Sequence, residues 1–401
     1  MRLIWVKVGG LWPVNTGGRI RSFHMLRELS RRHHVSLLTT HAPPDDPLAL
    51  AAALPECEVV SVPWALAKQG SARFALALMG SWLSPLPVDL YKARVPALRR
   101  ELSRRLAGEK VDLLVADFLL AAPNVGHSAS PPMVLFAHNV EHVIWQRMRE
   151  VERRAWRRAL LSLESRKMRR YEARACARAR LTIAVSDADR RLLAAAAPSA
   201  RVSAVPTGVD VDYFAASGVA EAPDRLVFTG SMDWYPNEDG IAHFIEAVLP
   251  RIRRAVPTAA LTVVGRNPSA RLQALAAAAG VEVTGLVDDV RPHMAAAAVY
   301  VVPLRVGGGT RLKIFEALSM AKAVVSTTIG AEGLPLTPGR DYLAADEPAA
   351  FADAVVALLR DPVRRRAIGA AGRRLVEARY SWPRVVDEFE NQCEEAIRHA
   401  S

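Results

Sequence analysis

The sequence predicts an α/β protein built from two parallel-sheet domains. Three observations point that way. The chain has 401 residues, more than one ordinary core holds, and roughly 200 per domain is the natural division. Short apolar runs alternate with helical stretches, the pattern of a parallel sheet covered by helices. That alternation occurs twice, on either side of a Pro-, Gly- and Asp-marked loop, PTGVDVDYF, at 206–214.

The elements read in order. An apolar run at 3–8 leads into a turn-rich stretch at 9–18. Ile20, Phe23, Leu26 and Leu29 then recur at helical steps, and VSLLTT at 35–40 reads as a strand. Strand, glycine loop, helix and strand make a βαβ unit. VDLLVAD (111–117), MVLFAHN (133–139) and LTIAVS (181–186) continue the sheet, with a long Arg-rich helical stretch between the last two. In the second half, RLVFTGS (225–231), LTVVG (261–265), VEVTG (281–285), VYVVPL (299–304) and AVVST (323–327) read as strands, and 362–379 and 382–399 as helices. The expected division is 1–207, 208–379 and a terminal helix at 380–401.

Apolar residues make up 51% and charged residues 23%, a globular composition. No uncharged apolar run reaches the ~18 residues of a spanning helix; the nearest, 74–88, is interrupted by Pro85 and Pro87. MRLIWVKVGG lacks the features of a signal peptide and reads as a first strand. Cys57, Cys176 and Cys393 are isolated and odd in number, so neither a disulfide framework nor a zinc site is expected. A cytoplasmic location follows as an expectation. The formal charge is +12, and residues 147–180 hold thirteen Lys or Arg against four Glu. No nucleic-acid motif or aromatic ladder accompanies this charge, so nucleic acid is not an expected partner. An anionic membrane surface and a solvated basic face remain as readings.

Ligands of open α/β sheets bind outside the carboxyl ends of the strands, so loops after strands carry the chemistry. The strongest signal is VPLRVGGGTRLKIFEALSMAKAVVST at 302–327. Gly307, Gly308 and Gly309 let backbone amides approach an anion, and Thr310 suits a helix N-cap. Arg311 and Lys313 fall in the first helical turn, where cations oppose the helix dipole; a phosphate between them explains the placement. Glu316, one turn on, suits the vicinal diol of a ribose. The alternative is an ordinary Lys313–Glu316 ion pair beside a glycine turn. The spacing of a P-loop is absent. FTGSMDWYPNEDGI at 228–241 places Gly230 and Ser231 in a strand-to-helix loop; Trp234 and Tyr235 packing in a plain turn is the alternative. Arg266 after LTVVG reads as a pocket residue or a surface Arg. Gly17 and Gly18 open a helix, with Arg19 and Arg21 able to supply charge, or form a turn. His138 follows a strand, a position more often structural than functional, and its neighbours Asn139, Glu141 and His142 do not have metal-site spacing. The triplets at 187–189 and 210–212 fit a cap and a turn, and no metal is expected.

With these segments in place the chain resembles glycosyltransferase family 4. The likeness rests on 307–316 with the following ALSMAKAVVST and GAEGL, and on NTGGRIRSFHMLRELS, FAHNVEH, AVSDADRRLL, PTGVDVDYF, FTGSMDWYPNEDGI and the late YSW. The GGGTRxK form resembles the sugar transferases of exopolysaccharide and exosortase (PEP-CTERM) loci. The resemblance implies a GT-B fold, two Rossmann-like domains facing a cleft, with the last helix returning to the first domain. It implies a retaining transfer from a nucleotide-diphosphate sugar to a glycan, lipid-linked or small-molecule acceptor, without a metal or other cofactor. Peripheral attachment to the inner face of the cytoplasmic membrane goes with the basic segment. By residue, it implies donor contacts from Gly17, Gly18, Gly230, Ser231, Arg266, Gly307, Gly308, Gly309, Thr310, Arg311, Lys313 and Glu316. His138, Arg311 and Lys313 become the catalytic candidates, and Arg19, Asn139 and Glu141 the acceptor side. The family pattern of two Glu seven residues apart is incomplete, since its first Glu falls at Gly308. The Arg and Lys usual near 231 and 236 are also absent, so Arg311 and Lys313 take over the diphosphate charge. An epimerase or hydrolase on the same fold, or a non-catalytic nucleotide-sugar binder, is the alternative.

Overall fold

The computed structural model describes residues 1–67, 70–126, 131–152, 154–215, 219–306 and 312–398. The chain divides into two compact units, Met1–Pro206 with Val385–Ser401, and Thr207–Arg384.

In the first unit, the strands are β1 (Arg2–Lys7), β2 (His34–His41), β3 (Cys57–Pro63), β4 (Leu113–Asp117), β5 (Met133–Phe136), β6 (Leu181–Ala184) and β7 (Val202–Ala204). They lie in the order β3-β2-β1-β4-β5-β6-β7, every pairing parallel. The second unit holds β8 (Ala222–Thr229), β9 (Ala260–Val264), β10 (Glu282–Val283), β11 (Ala297–Val302), β12 (Ala323–Ser326) and β13 (Leu343–Ala344). Their order is β10-β9-β8-β11-β12-β13, again all parallel. Strands buried on both faces explain the unbroken apolar runs; β11, AAVYVV, is buried at every position. β3, β7 and β13 are additions to the sequence reading. All three are edge strands with exposed or polar positions, so they lack that signal.

Strand order reverses between β1 and β4 in one sheet and between β8 and β11 in the other. These reversal points are where a doubly wound sheet opens a crevice at its carboxyl edge. Register sets Lys7 opposite Asp117 across the first.

The last helix, Trp382–Arg398, crosses the division at Arg384–Val385, later than the boundary read from sequence. Val385, Val386, Phe389, Cys393 and Ala396 form its buried stripe. Phe389 packs on Trp5 and Phe136 at 5.8 and 5.1 Å, which ties this helix to the first sheet. The residues before it stay with the second unit because Tyr380 stacks on Phe315 at 4.5 Å and Trp382 covers Gly208. Cys57, Cys176 and Cys393 are free and buried, and burial raises all three thiols, the first two to about 12.

Candidate functional site

In the second unit, three loops meet beyond the carboxyl ends of β8, β9 and β10. Gly265 N donates to Gly285 O, Gly230 N to Val264 O, and Met232 N to Arg266 O. Gly265 must be glycine: a Cβ there would lie 1.8 Å from Gly230 O. The helix Leu312–Ser319 starts beside these loops. Its Lys313 reaches back, Nζ donating to Asn237 Oδ1 at 2.8 Å and sitting 4.1 Å from the Phe228 ring centroid. Asn237 is buried and donates to Ser231 O at 2.7 Å, so the 231–237 turn is fixed by this amide. Trp234 and Tyr235 stay exposed. A Cβ at Gly230 would come within 2.6 Å of Lys313 Nζ. The glycine therefore keeps a space into which the ammonium projects.

Arg266 donates through Nε to Ser231 Oγ at 2.8 Å and lies 4.0 Å from Asp233. Half-buried Glu316 lies one turn beyond Lys313, and burial pushes its carboxyl up to about 7, with Lys313 acting in the opposite direction. Gly307, Gly308, Gly309, Thr310 and Arg311 lie outside the described residues. Of the predicted donor residues, the structure thus groups Gly230, Ser231, Arg266 and Lys313, with Glu316 on the same helix as Lys313.

In the first unit the reversal point carries a buried polar cluster. Asp117, at the end of β4, is wholly buried. Its Oδ2 accepts from Lys7 Nζ at 3.0 Å, Ser22 Oγ at 2.6 Å and Trp5 Nε1 at 3.0 Å. Its Oδ1 lies 2.7 Å from His138 Nε2. Burial alone raises a carboxyl, but Lys7, His138 and Ser22 outweigh it and hold Asp117 well below the usual range. Burial pushes His138 down to about 4 against the pull of Asp117. The Nε2 side of the ring thus faces the Asp117 carboxylate. Phe118 stacks on that imidazole at 3.8 Å from a left-handed backbone, φ 65°. Gly18 makes room for it: a Cβ would meet Phe118 Cζ at 2.5 Å.

Gly17 begins the helix Gly17–Ser30. Arg19 donates to Pro13 O and to Asp45 Oδ1 at 3.1 and 2.8 Å. Arg21 is buried, donates to Val205 O and lies over Phe136. Asn139 is exposed. Glu141 opens the helix Glu141–Val151, and burial with the Glu172 charge raises its carboxyl to about 7. Glu172 accepts from the Glu141 and His142 amides and lies 2.5 Å from His142 Nδ1, so it caps this helix. The acidic triplets have local duties. Ser186 caps the helix holding Asp187 and Asp189, and Asp210 accepts from Tyr213 N. Among the described residues no group of His, Cys, Asp or Glu is arranged to hold a metal.

The glycosyltransferase family 4 model matches residues 15–213, and the model for glycosyl transferases group 1 matches 223–361. The chain belongs to glycosyltransferase family 4. A phosphatidyl-myo-inositol mannosyltransferase of Mycobacterium leprae is 31% identical over 217 residues, 52% of this chain and 57% of the relative. A GDP-mannose-dependent alpha-(1-6)-phosphatidylinositol monomannoside mannosyltransferase of Mycolicibacterium smegmatis is 31% identical over 215 residues, 48% of this chain and 56% of its own. The match therefore spans little more than half the length of these relatives. Among solved structures, a sucrose-phosphate synthase of Thermosynechococcus elongatus aligns over 100% of both chains with TM-score 0.71 and 16% identity. Anabaena HepE in complex with UDP aligns over 98% of this chain and 100% of its own, with TM-score 0.69 and 15% identity. At those identities the likeness speaks for the fold, two Rossmann-like units of the GT-B kind. Within this family 4 chain, Lys7, Ser22 and Asp117 belong to the polar cluster of the first unit and Asn237 to the loop cluster of the second, although the sequence reading did not select them. Lys7 and Asp117 did carry a signal, being charges inside strongly apolar strands.

Proposed function

We propose that the chain transfers a sugar from a nucleoside diphosphate sugar to an acceptor hydroxyl with retention at the anomeric carbon. The observation that carries this reading is Lys313, held by Asn237 over the open face of Gly230, with Glu316 on the same helix. The ammonium suits a diphosphate, and the carboxylate suits ribose hydroxyls. In the transfer the C1–O bond to the diphosphate breaks, and its electron pair leaves with the diphosphate oxygen. The acceptor oxygen bonds to C1, and its proton passes to the departing phosphate. Lys313, with Arg311, stabilises the charge that develops there; the protein's own cations take the part a metal plays elsewhere. His138, buried beside Asp117, contacts the transferred sugar. The acceptor belongs to polysaccharide or glycoconjugate synthesis, in keeping with the likeness to exopolysaccharide and exosortase-associated transferases.

A membrane-facing role is part of this proposal. The helix Ala155–Arg178 exposes Arg157, Arg158, Arg166, Arg169 and Arg170, together with Trp156 and Leu163. Lys167 Nζ donates to Ser81 O at 2.7 Å, which sets this helix beside Ala72–Trp82 with its exposed Leu76, Met79 and Trp82. Among the described residues no helix is long and apolar enough to cross a membrane.

The test is a panel of nucleotide sugars, assayed for transfer and for slow hydrolysis, with and without EDTA. Lys313→Ala should lower turnover by about a hundredfold or more with an unchanged thermal transition. EDTA should have no effect. Near-normal turnover in Lys313→Ala sinks the assignment, and hydrolysis or epimerisation without transfer to any acceptor replaces it.

A further inference from the structure

The end of β4 holds an aromatic residue in a backbone conformation that aromatic residues seldom adopt. Phe118 has φ 65°, in the left-handed region, where a bulky L side chain is strained. Strand pairing continues up to it, since Phe118 N donates to Phe136 O at 2.9 Å. The chain then turns at once, with Ala121 N donating to Phe118 O at 3.0 Å. Backbone strain of this kind persists only where its surroundings fix it, and it gathers at functional sites.

The effect of the turn is visible at His138. Successive residues of a strand point to opposite faces of the sheet, so in regular strand geometry Asp117 and Phe118 could not both reach one imidazole. Both nevertheless do. Asp117 Oδ1 lies 2.7 Å from His138 Nε2, and the Phe118 ring lies flat on the same imidazole, with 3.8 Å between centroids and 13° between planes. The left-handed turn brings Phe118 back onto the partner of its own predecessor. Phe136 meets the imidazole edge-on at 4.6 Å and 68°. The Phe118 ring is itself fixed from two other elements. Lys7 Nζ of β1 lies 4.4 Å from its centroid, a cation–π contact. Gly18, in the first turn of Gly17–Ser30, lets the ring approach, since a Cβ there would lie 2.5 Å from Phe118 Cζ. Strand β1, that helix and the loop after β5 thus converge on one ring, and His138 keeps 8% exposure beside it.

We propose that Phe118 is a positioning residue: its ring fixes the plane of the His138 imidazole and keeps water from it, so that the imidazole meets the transferred sugar in a single orientation. The part played in catalysis rests on the transferase reading; the clamp on His138 does not. An imidazole free to turn would spend time misplaced, and a misplacement of about 1 Å slows a reaction about a hundredfold.

The test compares the full-length chain with Phe118→Gly. Glycine accepts the left-handed turn, so this change removes the ring and leaves the backbone path. Deuterium exchange at the imidazole C2 position, read for each histidine by mass spectrometry, is the first measurement. It proceeds through the protonated ring, so an imidazole that burial pushes down to about 4 exchanges slowly. His138 should exchange about tenfold or more faster in Phe118→Gly. His142, 9% exposed but held by Glu172, should not change and serves as the reference for an intact fold. The second measurement is kinetic. The kcat for transfer should fall about tenfold or more, with KM for the nucleotide sugar unchanged.

Faster exchange at His138 alone, joined to that fall in kcat, sustains the proposal. Unchanged exchange at His138 overturns it. Faster exchange at both histidines also overturns it, because that is a general loosening of the first unit. An unaltered kcat in a chain whose His138 has been exposed does the same. If the wild-type chain transfers no sugar to any acceptor, the transferase reading falls, and the exchange measurement alone decides whether Phe118 holds His138.

Discussion

Glu316 is a carboxyl that burial has pushed up to about 7, and this sets a sign for donor binding. Ribose hydroxyls donate to a carboxylate, so the ionised form is the competent acceptor. Nucleotide-sugar affinity should rise as pH climbs through about 7 and fall below it. Glu316→Gln should flatten that profile, as read by calorimetry at several pH values; a profile unchanged in the variant would remove Glu316 from the site. Asp117 supports a second prediction. Asp117→Asn removes the carboxylate that faces the imidazole at 2.7 Å and should cut turnover about 10–100-fold, with nucleotide affinity kept. It also leaves the buried Lys7 ammonium without its counter-charge, a loss of about 3–5 kcal/mol in urea unfolding. Sequence reasoning singled out His138 and Lys313 as candidates because both sit in motifs. It missed Asp117 and Asn237 because their roles arise from pairings across strands and loops, which no local spacing encodes.

At the scale of the element, the second unit's site depends on two glycines with opposite burdens. A Cβ at Gly265 would run into the Gly230 backbone at 1.8 Å, and rigid backbone does not yield. Gly265→Ala should destabilise the unit by about 1–3 kcal/mol or more. A Cβ at Gly230 meets the mobile end of Lys313 and the Asn237 amide. Gly230→Ala should fold, displace the ammonium and weaken donor binding. Chemical denaturation and calorimetry on both variants separate the effects, and similar stability losses in the two would contradict the distinction. The strands that flank these glycines were legible as apolar runs ending in Gly. β3 was not, because its exposed, half-polar face breaks the run.

For the molecule as a whole, the alternation of runs was enough to read two parallel sheets, because strands covered on both faces must be apolar throughout. The path of the last helix was carried by the resemblance, and the structure shows its cause in Phe389 against Trp5. The basic and apolar surface of the first unit leads to one more expectation. The chain should bind phosphatidylglycerol vesicles, ignore phosphatidylcholine vesicles, and release as salt rises. Salt-independent binding would mean that the Arg-rich helix is not the contact.

The three cysteines have a practical consequence. Their thiols are buried and held protonated, so thiol-directed reagents find little to react with in the folded chain. A cysteine introduced on the surface would be the dominant reactive thiol without any native one being replaced. The unmodified chain is thus already a suitable background for a single fluorescent or spin label. The native thiols, silent until the core opens, would serve as an internal gauge of unfolding.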